Sequence, residues 1–251
     1  MFDGHCHLDK SKGTCQKAMA FLFGEAKKEK IKGIILLNVP SIAFSNEEVL
    51  KAAQDYDGFF RVFPCPEAKS SLSAIQKLKK KGAQGLKLHP RLADKTLDSP
   101  EYLSLIKKAA DLNIPVLIDC FPDGKNLALG NIPEKFAALA QKIPSVRIAI
   151  GHAGGHKILD ALMVAKYFKN IYLDLSYTLL YYRNSRVIEN IAYAIKSIKG
   201  KRVFWGSDYP DRSYGRTVKL SLEELSGMKI SAKDRKAILE NNVKEFLGEY
   251  A

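Results

Sequence analysis

The chain opens FDGHCHLD, with His5 and His7 separated by a single residue. On a strand the side chains alternate, so the two imidazoles share one face and Cys6 points to the other. Two imidazoles at one strand end can reach a single divalent cation. Polar residues with comparable prospects recur at the ends of later apolar runs. Lys87 and His89 stand in GLKLHP with Arg91 just beyond, Asp119 in PVLIDC, His152 in VRIAIGH, Asp174 and Ser176 in IYLDLS, and Ser207 and Asp208 in RVFWGSD. Four of the five histidines occupy such ends. Imidazole and carboxylate are the donors that hold zinc and similar ions, and randomly placed surface histidines would not collect this way.

The runs that carry these residues imply an architecture. Eight short stretches, the opening FDGHCHL and those at 33–40, 59–66, 85–90, 115–120, 146–152, 171–176 and 202–208, are almost continuously apolar. That is the pattern of parallel strands covered on both faces. Helical periodicity fills the intervals at 14–31, 45–56, 70–81, 99–112, 131–143, 155–168 and 183–198, and two further helices are expected at 218–226 and 231–247. Ser45 ahead of Asn46-Glu47-Glu48, and Ser99 ahead of Pro100, read as N-caps. Eight β/α alternations in 251 residues predict an α/β chain folded as one (β/α)8 TIM-barrel domain over 1–251, with an extra C-terminal helix. A doubly wound dinucleotide-binding sheet is disfavoured, since no G-x-G-x-x-G follows the first strand. In such a barrel the active site forms at the C-terminal ends of the strands, where the polar residues above stand.

Composition narrows the setting. Hydrophobic residues make up 46% and charged residues 27%, the mix of a globular protein. Cys6, Cys15, Cys65 and Cys120 show no C-x-x-C spacing, so free thiols in a reducing compartment are expected. No apolar run is long enough to span a bilayer. The motif-bearing strand begins at once and leaves no room for a signal peptide, which predicts the cytoplasm. The formal net charge of +13 favours anionic ligands. Its lysines, in stretches such as GEAKKEKIKG and QKLKKKGAQG, read as solvated helix faces. A small-molecule substrate carrying a carboxylate is therefore the expected partner, rather than nucleic acid or membrane. Self-association is left open.

FDGHCHLD, GLKLHP, IAIGHAGG, FWGSDYP and the closing ILENNVKEFLG, in this order over nearly the whole chain, resemble the amidohydrolase superfamily. The likeness is to the branch holding metal-dependent amidohydrolases and non-oxidative decarboxylases. It implies a (β/α)8 barrel with one or two divalent ions, commonly zinc. By position, it makes His5 and His7 metal ligands, has His152 polarise substrate or lie behind the ligands, and has Asp208 bind metal and move a proton. One departure stands out: the resembled pattern has a ligating histidine where PVLID places Asp119. A carboxylate oxygen can take that place at a similar distance, or the site has drifted from metal binding. Lys87 resembles the strand-4 lysine that some relatives carboxylate to bridge two metals. The preferred reading puts Lys87, His89 and Arg91 in a cationic wall for a substrate carboxylate, with a salt bridge in the barrel mouth as the plain alternative.

The expected chemistry is hydrolysis of an amide, lactone or ester in a small anionic substrate. One ion, zinc before manganese or iron, is held by His5, His7, Asp119 and Asp208 and brings the pKa of a water from 15.7 to about 7. Asp208 takes the proton as general base and His152 polarises the carbonyl. Tyr177 and Arg212 are expected to touch substrate, whereas His156 reads as a helix-start residue rather than a ligand. The alternative is decarboxylation of an aromatic or unsaturated acid on the same residues. A TatD-type DNase and a non-catalytic binding barrel stand behind these.

Overall fold

The computed structural model describes residues 1–249. Its strands are β1 Asp3–Cys6, β2 Ile34–Asn38, β3 Phe60–Pro64, β4 Leu86–Leu88, β5 Val116–Ile118, β6 Ile148–Ile150, β7 Ile171–Asp174 and β8 Val203–Phe204. All eight fall inside the predicted runs. Each is followed by a principal helix: α1 Cys15–Lys28, α2 Asn46–Ala53, α3 Leu72–Lys80, α4 Pro100–Asp111, α5 Lys135–Lys142, α6 Ile158–Tyr167, α7 Val187–Ser197 and α8 Tyr214–Gly227. Every strand pairing is parallel, in the orders β1-β2-β3 and β4-β5-β6-β7-β8. Backbone hydrogen bonds cross both seams. Gly4 N donates to Trp205 O (2.9 Å) and His7 N to Tyr209 O (2.8 Å) on one side, and Gln84 N to Val62 O (3.0 Å) on the other. The result is the (β/α)8 barrel.

Alternation along the strands divides the apolar residues into two cores. Ile34, Leu36, Leu86, Leu88, Val116, Ile118, Ile148, Ile150, Ile171 and Leu173 point outward beneath the helices. Ile35, Leu37, Phe63, Leu117, Ala149, Tyr172 and Phe204 fill the barrel, and Phe2, Val243 and Phe246 plug its lower end. Cys6 and Cys120 belong to the outer core, as period-2 alternation predicts. His5, Lys87, Asp119 and Asp174 continue the inward rows one step above the inner core.

The caps behave as read. Ser45 and Glu48 form a reciprocal capping box, and the Ser99 hydroxyl accepts from Tyr102 N. Several helix boundaries differ, the seventh helix starting at Val187 rather than 183 among them, and three of the differences have a visible structural counterpart. The fifth helix starts at Lys135 rather than 131, because Pro133 disfavours the helical conformation for the residue before it. The eighth begins at Tyr214, four residues early, and buries Tyr214, Thr217 and Val218. The terminal helix breaks into Ala232–Lys236, a π turn at Ala237–Asn241, and Asn242–Leu247. In the π turn the carbonyls of Ile238 and Leu239 accept from Trp205 N and Phe2 N. Two acceptors thus leave the helix ladder to tie this segment to the barrel. Among the described residues no helix is long and apolar enough to cross a membrane.

Candidate functional site

Strand alternation brings His5 to the barrel axis, and β8 brings Asp208 to meet it. Gly206 makes that approach possible: a Cβ there would lie 2.5 Å from His5 Cβ and 2.7 Å from His5 N. Asp208 N donates to His5 O (2.8 Å). Asp208 and His152 both hold left-handed backbone conformations (φ 54° and 56°), which Asp and His tolerate better than most residues and which often accompany functional sites.

Two rings are oriented from behind. His7 Nδ1 lies 2.8 Å from Leu37 O. A carbonyl only accepts, so Nδ1 carries the proton and Nε2 presents a lone pair. His5 Nδ1 lies 2.5 Å from Asp174 Oδ2 and 2.9 Å from Ser176 Oγ. Asp174 is buried, yet His5 keeps its carboxyl below the usual range. His5 is therefore protonated at Nδ1, and its Nε2 also faces forward.

The forward atoms converge. His5 Nε2 is 3.3 Å from His7 Nε2 and 3.1 Å from Asp208 Oδ1, and His7 Nε2 is 3.6 Å from the same oxygen. A tetrahedral ion with ligand bonds of ~2.0–2.1 Å separates neighbouring ligands by about 3.3–3.4 Å. The three edges fit. Three acceptors so close repel one another unless a cation or a proton lies between them. Without metal a proton serves: burial lowers the His5 pKa, but Asp174 and Asp208 outweigh it and raise it to about 9. His7 is pushed down by burial. Asp208, despite burial, is held well below the carboxylate range by His5.

A second group, His5–His152–Asp174, is equally compact but already satisfied. Ser176 Oγ donates to Asp174 Oδ2 (2.8 Å), and His152 Nδ1 lies 3.1 Å from Ser176 O. It supports the first group from behind.

Asp119 belongs to neither group. Its Oδ2 accepts from Asn126 Nδ2 (2.9 Å), and Oδ1 lies 3.2 Å from His152 Nε2. Burial would raise its pKa, but His152 and Lys87 outweigh it and hold the carboxyl below its usual range. His5, His7, Lys87, His89, Arg91, Asp119, His152 and Asp208 all line one cavity of about 410 Å³. Three buried polar atoms on its walls make no well-formed hydrogen bond among the described residues: His89 Nδ1 and Arg91 Nε, 3.7 and 3.8 Å from Asp119 Oδ2, and Asp119 Oδ1, which meets only the edge of His152. Buried polar groups are seldom left so, and their clustering marks a place built for a ligand.

The wall at β4 differs from expectation in one respect. Lys87 is only 1% exposed and makes no hydrogen bond or ion pair among the described residues; burial lowers its pKa against the pull of Asp119, Asp208 and Asp174. The plain alternative of a direct salt bridge is thus absent. His89 is not cationic: burial takes its pKa down to about 3, with Lys87 and Arg91 adding repulsion. Arg91 reaches Asp123 Oδ2 (2.6 Å). The wall thus sets a neutral imidazole between the Lys87 and Arg91 side chains.

Tyr177 and Arg212 do not line this cavity. The guanidinium sits 5.6 Å over the Tyr177 ring, which stacks on Tyr181. His156 turns aside to Tyr182 Oη (3.2 Å). The sequence analysis noted Asp174 and Ser176 at a strand end but gave them no role, although period 2 along IYLDLS puts both on the inward face. Asn126 carried no signal at all, as it sits in a short loop helix, Gly124–Ala128.

A family model described as Amidohydrolase matches residues 39–248. The match excludes His5 and His7, whose place rests on the geometry above. No curated protein matches the sequence. Among solved structures, an uncharacterized TIM-barrel protein from Bordetella bronchiseptica superimposes with a TM-score of 0.78 at 18% identity, covering 99% of both chains. A probable 2-pyrone-4,6-dicarboxylic acid hydrolase from Acinetobacter baumannii, with citric acid bound, gives 0.73 at 16%, covering 98% of both. The 2,6-dihydroxybenzoate decarboxylase from Rhizobium gives 0.69 at 15%, covering 100% of both.

Proposed function

Since the chain belongs to the amidohydrolase family, we propose that it is a metal-dependent hydrolase of a small anionic substrate with an amide, lactone or ester bond. The observation that carries the reading is the convergence of His5 Nε2, His7 Nε2 and Asp208 Oδ1 on one point. These three groups would hold a divalent ion, zinc first. Asp119 is the fourth candidate ligand, with Oδ2 fixed by Asn126 and Oδ1 facing His152 Nε2. When bound, such an ion supplies Lewis acidity and makes water more acidic.

The chain's own residues supply the rest. Asp208, at the cavity edge and ionised, accepts the proton of the attacking water and returns it to the leaving group. His152, set by Ser176 and facing Asp119, polarises the carbonyl under attack. Lys87 and Arg91 bind the substrate carboxylate, and neutral His89 contributes a hydrogen bond beside them. Decarboxylation of an aromatic acid is the second reading, supported by the 2,6-dihydroxybenzoate decarboxylase among the related folds. It would use Asp208 to protonate carbon.

Metal analysis of the purified protein, with activity before and after chelation, tests the reading. Product analysis on a panel of lactone carboxylates and hydroxybenzoates separates the two reactions. A metal-free protein of undiminished activity would dismiss the metal-dependent scheme. Carbon dioxide release without lactone opening would favour the second reading.

A further inference from the structure

The lysines are not spread evenly over helix faces. Seven segments run from the last turn of a helix to the next strand: 27–33, 54–59, 79–85, 108–115, 142–147, 166–170 and 196–202. They hold sixteen Lys and Arg against four Asp and Glu, twelve of the thirteen net charges. All lie on the barrel rim opposite the candidate metal site. The stretch 229–249, which plugs this rim, adds five against four, and the remainder of the chain is neutral. Cations at helix C-termini complement the helix dipole. That accounts for lysines in the last turns, but not for Lys30, Lys32, Lys199 and Lys201 beyond them.

The charge is densest in a groove of about 430 Å³ between the ends of α6 and α7. Lys166, Lys169, Lys199, Lys201 and Arg202 line it, and no carboxylate does. Arg202 is fixed in its floor, with Nε donating to Ile171 O (3.2 Å) and Nη2 to Ala165 O (2.6 Å). The four lysines are exposed and make no ion pair among the described residues. Tyr167 stands beside them at the end of α6, 79% exposed, and packs edge-on against Phe168. A row of cations with an aromatic face beside it suits a phosphate backbone and an unstacked base. A membrane surface would call for several apolar anchors along the rim.

We propose that this rim binds single-stranded nucleic acid, seated in the α6–α7 groove with phosphates on the four lysines and a base against Tyr167. The site lies at the far end of the barrel from the candidate metal centre, so the two are occupied independently.

Fluorescence anisotropy with a labelled 12-mer of uridylate tests this on the full chain. Four phosphate contacts predict a log–log salt slope of about −2.8, hence about fifty-fold weaker binding at 200 mM than at 50 mM salt. The double substitution Lys169→Glu and Lys201→Glu should weaken binding at least tenfold at 50 mM and flatten the slope by about 1.4. Tyr167→Ala should weaken binding about five-fold or more without changing the slope. All three positions are exposed, and circular dichroism checks that the fold is kept. The proposal is overturned by absence of binding at 50 mM salt or by binding indifferent to the double substitution. Preference for anionic phospholipid vesicles over the oligonucleotide would overturn it as well.

Discussion

Replacing Asp174 by Asn isolates what the buried carboxylate does for His5. Asn keeps the size and an acceptor oxygen but removes the charge 2.5 Å from His5 Nδ1. Partners behind a ligating imidazole raise its basicity, and their loss typically weakens metal binding about 10–100-fold. A second effect opposes this. In the metal-free protein His5 holds a proton with a pKa of about 9, and an incoming ion must displace it. At pH 7 that competition weakens wild-type affinity by about two powers of ten. In Asp174→Asn the His5 pKa returns toward about 6.5 or below, and the competition nearly vanishes. The wild-type affinity should therefore rise about tenfold per pH unit between pH 7 and 9, while that of the variant stays nearly flat. At pH 7 the two should agree within about tenfold; above pH 9 the wild type should bind about 10–100 times more tightly. Competition titrations against a chromophoric zinc chelator from pH 6.5 to 9.5 measure both curves. Parallel curves would refute the carboxylate's role in tuning His5.

The same proton ties metal-free stability to pH. His5 has a folded pKa above its unfolded value of about 6.5, so its contribution is full below pH 6.5 and is lost as pH rises through about 9. Urea denaturation of the apoprotein should show this fall, and His5→Gln should abolish it. Asp208→Asn should cut kcat/KM by at least about a hundredfold, through loss of the proton acceptor, with circular dichroism unchanged. Lys87→Met removes a buried cation that has no ion-pair partner. KM for a carboxylate substrate should rise about tenfold or more, and the melting temperature should not fall, since no buried pair is broken. Asn126→Ala leaves Asp119 Oδ2 without its donor and should destabilise the fold by about 1–3 kcal/mol in urea denaturation.

Much of this protein follows from local pattern. The barrel was legible because parallel strands covered on both faces must be apolar throughout, and because eight such runs alternate with amphipathic helices. Period-2 alternation alone predicts that His5, Lys87 and Asp119 share the barrel interior, and that Cys6 and Cys120 do not. Local pattern says nothing, however, about which atom meets which across the barrel. The tautomers of His5 and His7 depend on Asp174 and on Leu37 O, 169 and 30 residues away. The neutrality of His89 depends on burial and on the neighbouring Lys87 and Arg91. Asp119 is turned to His152 and Asn126 by contacts across the β5–β6 loops. Charge segregation escaped the sequence for the same reason. A lysine's position along a helix is visible, but only the closed barrel sends every helix C-terminus to one rim. Composition and periodicity are properties of neighbours in the chain, whereas distance, burial and electrostatic coupling belong to neighbours in space.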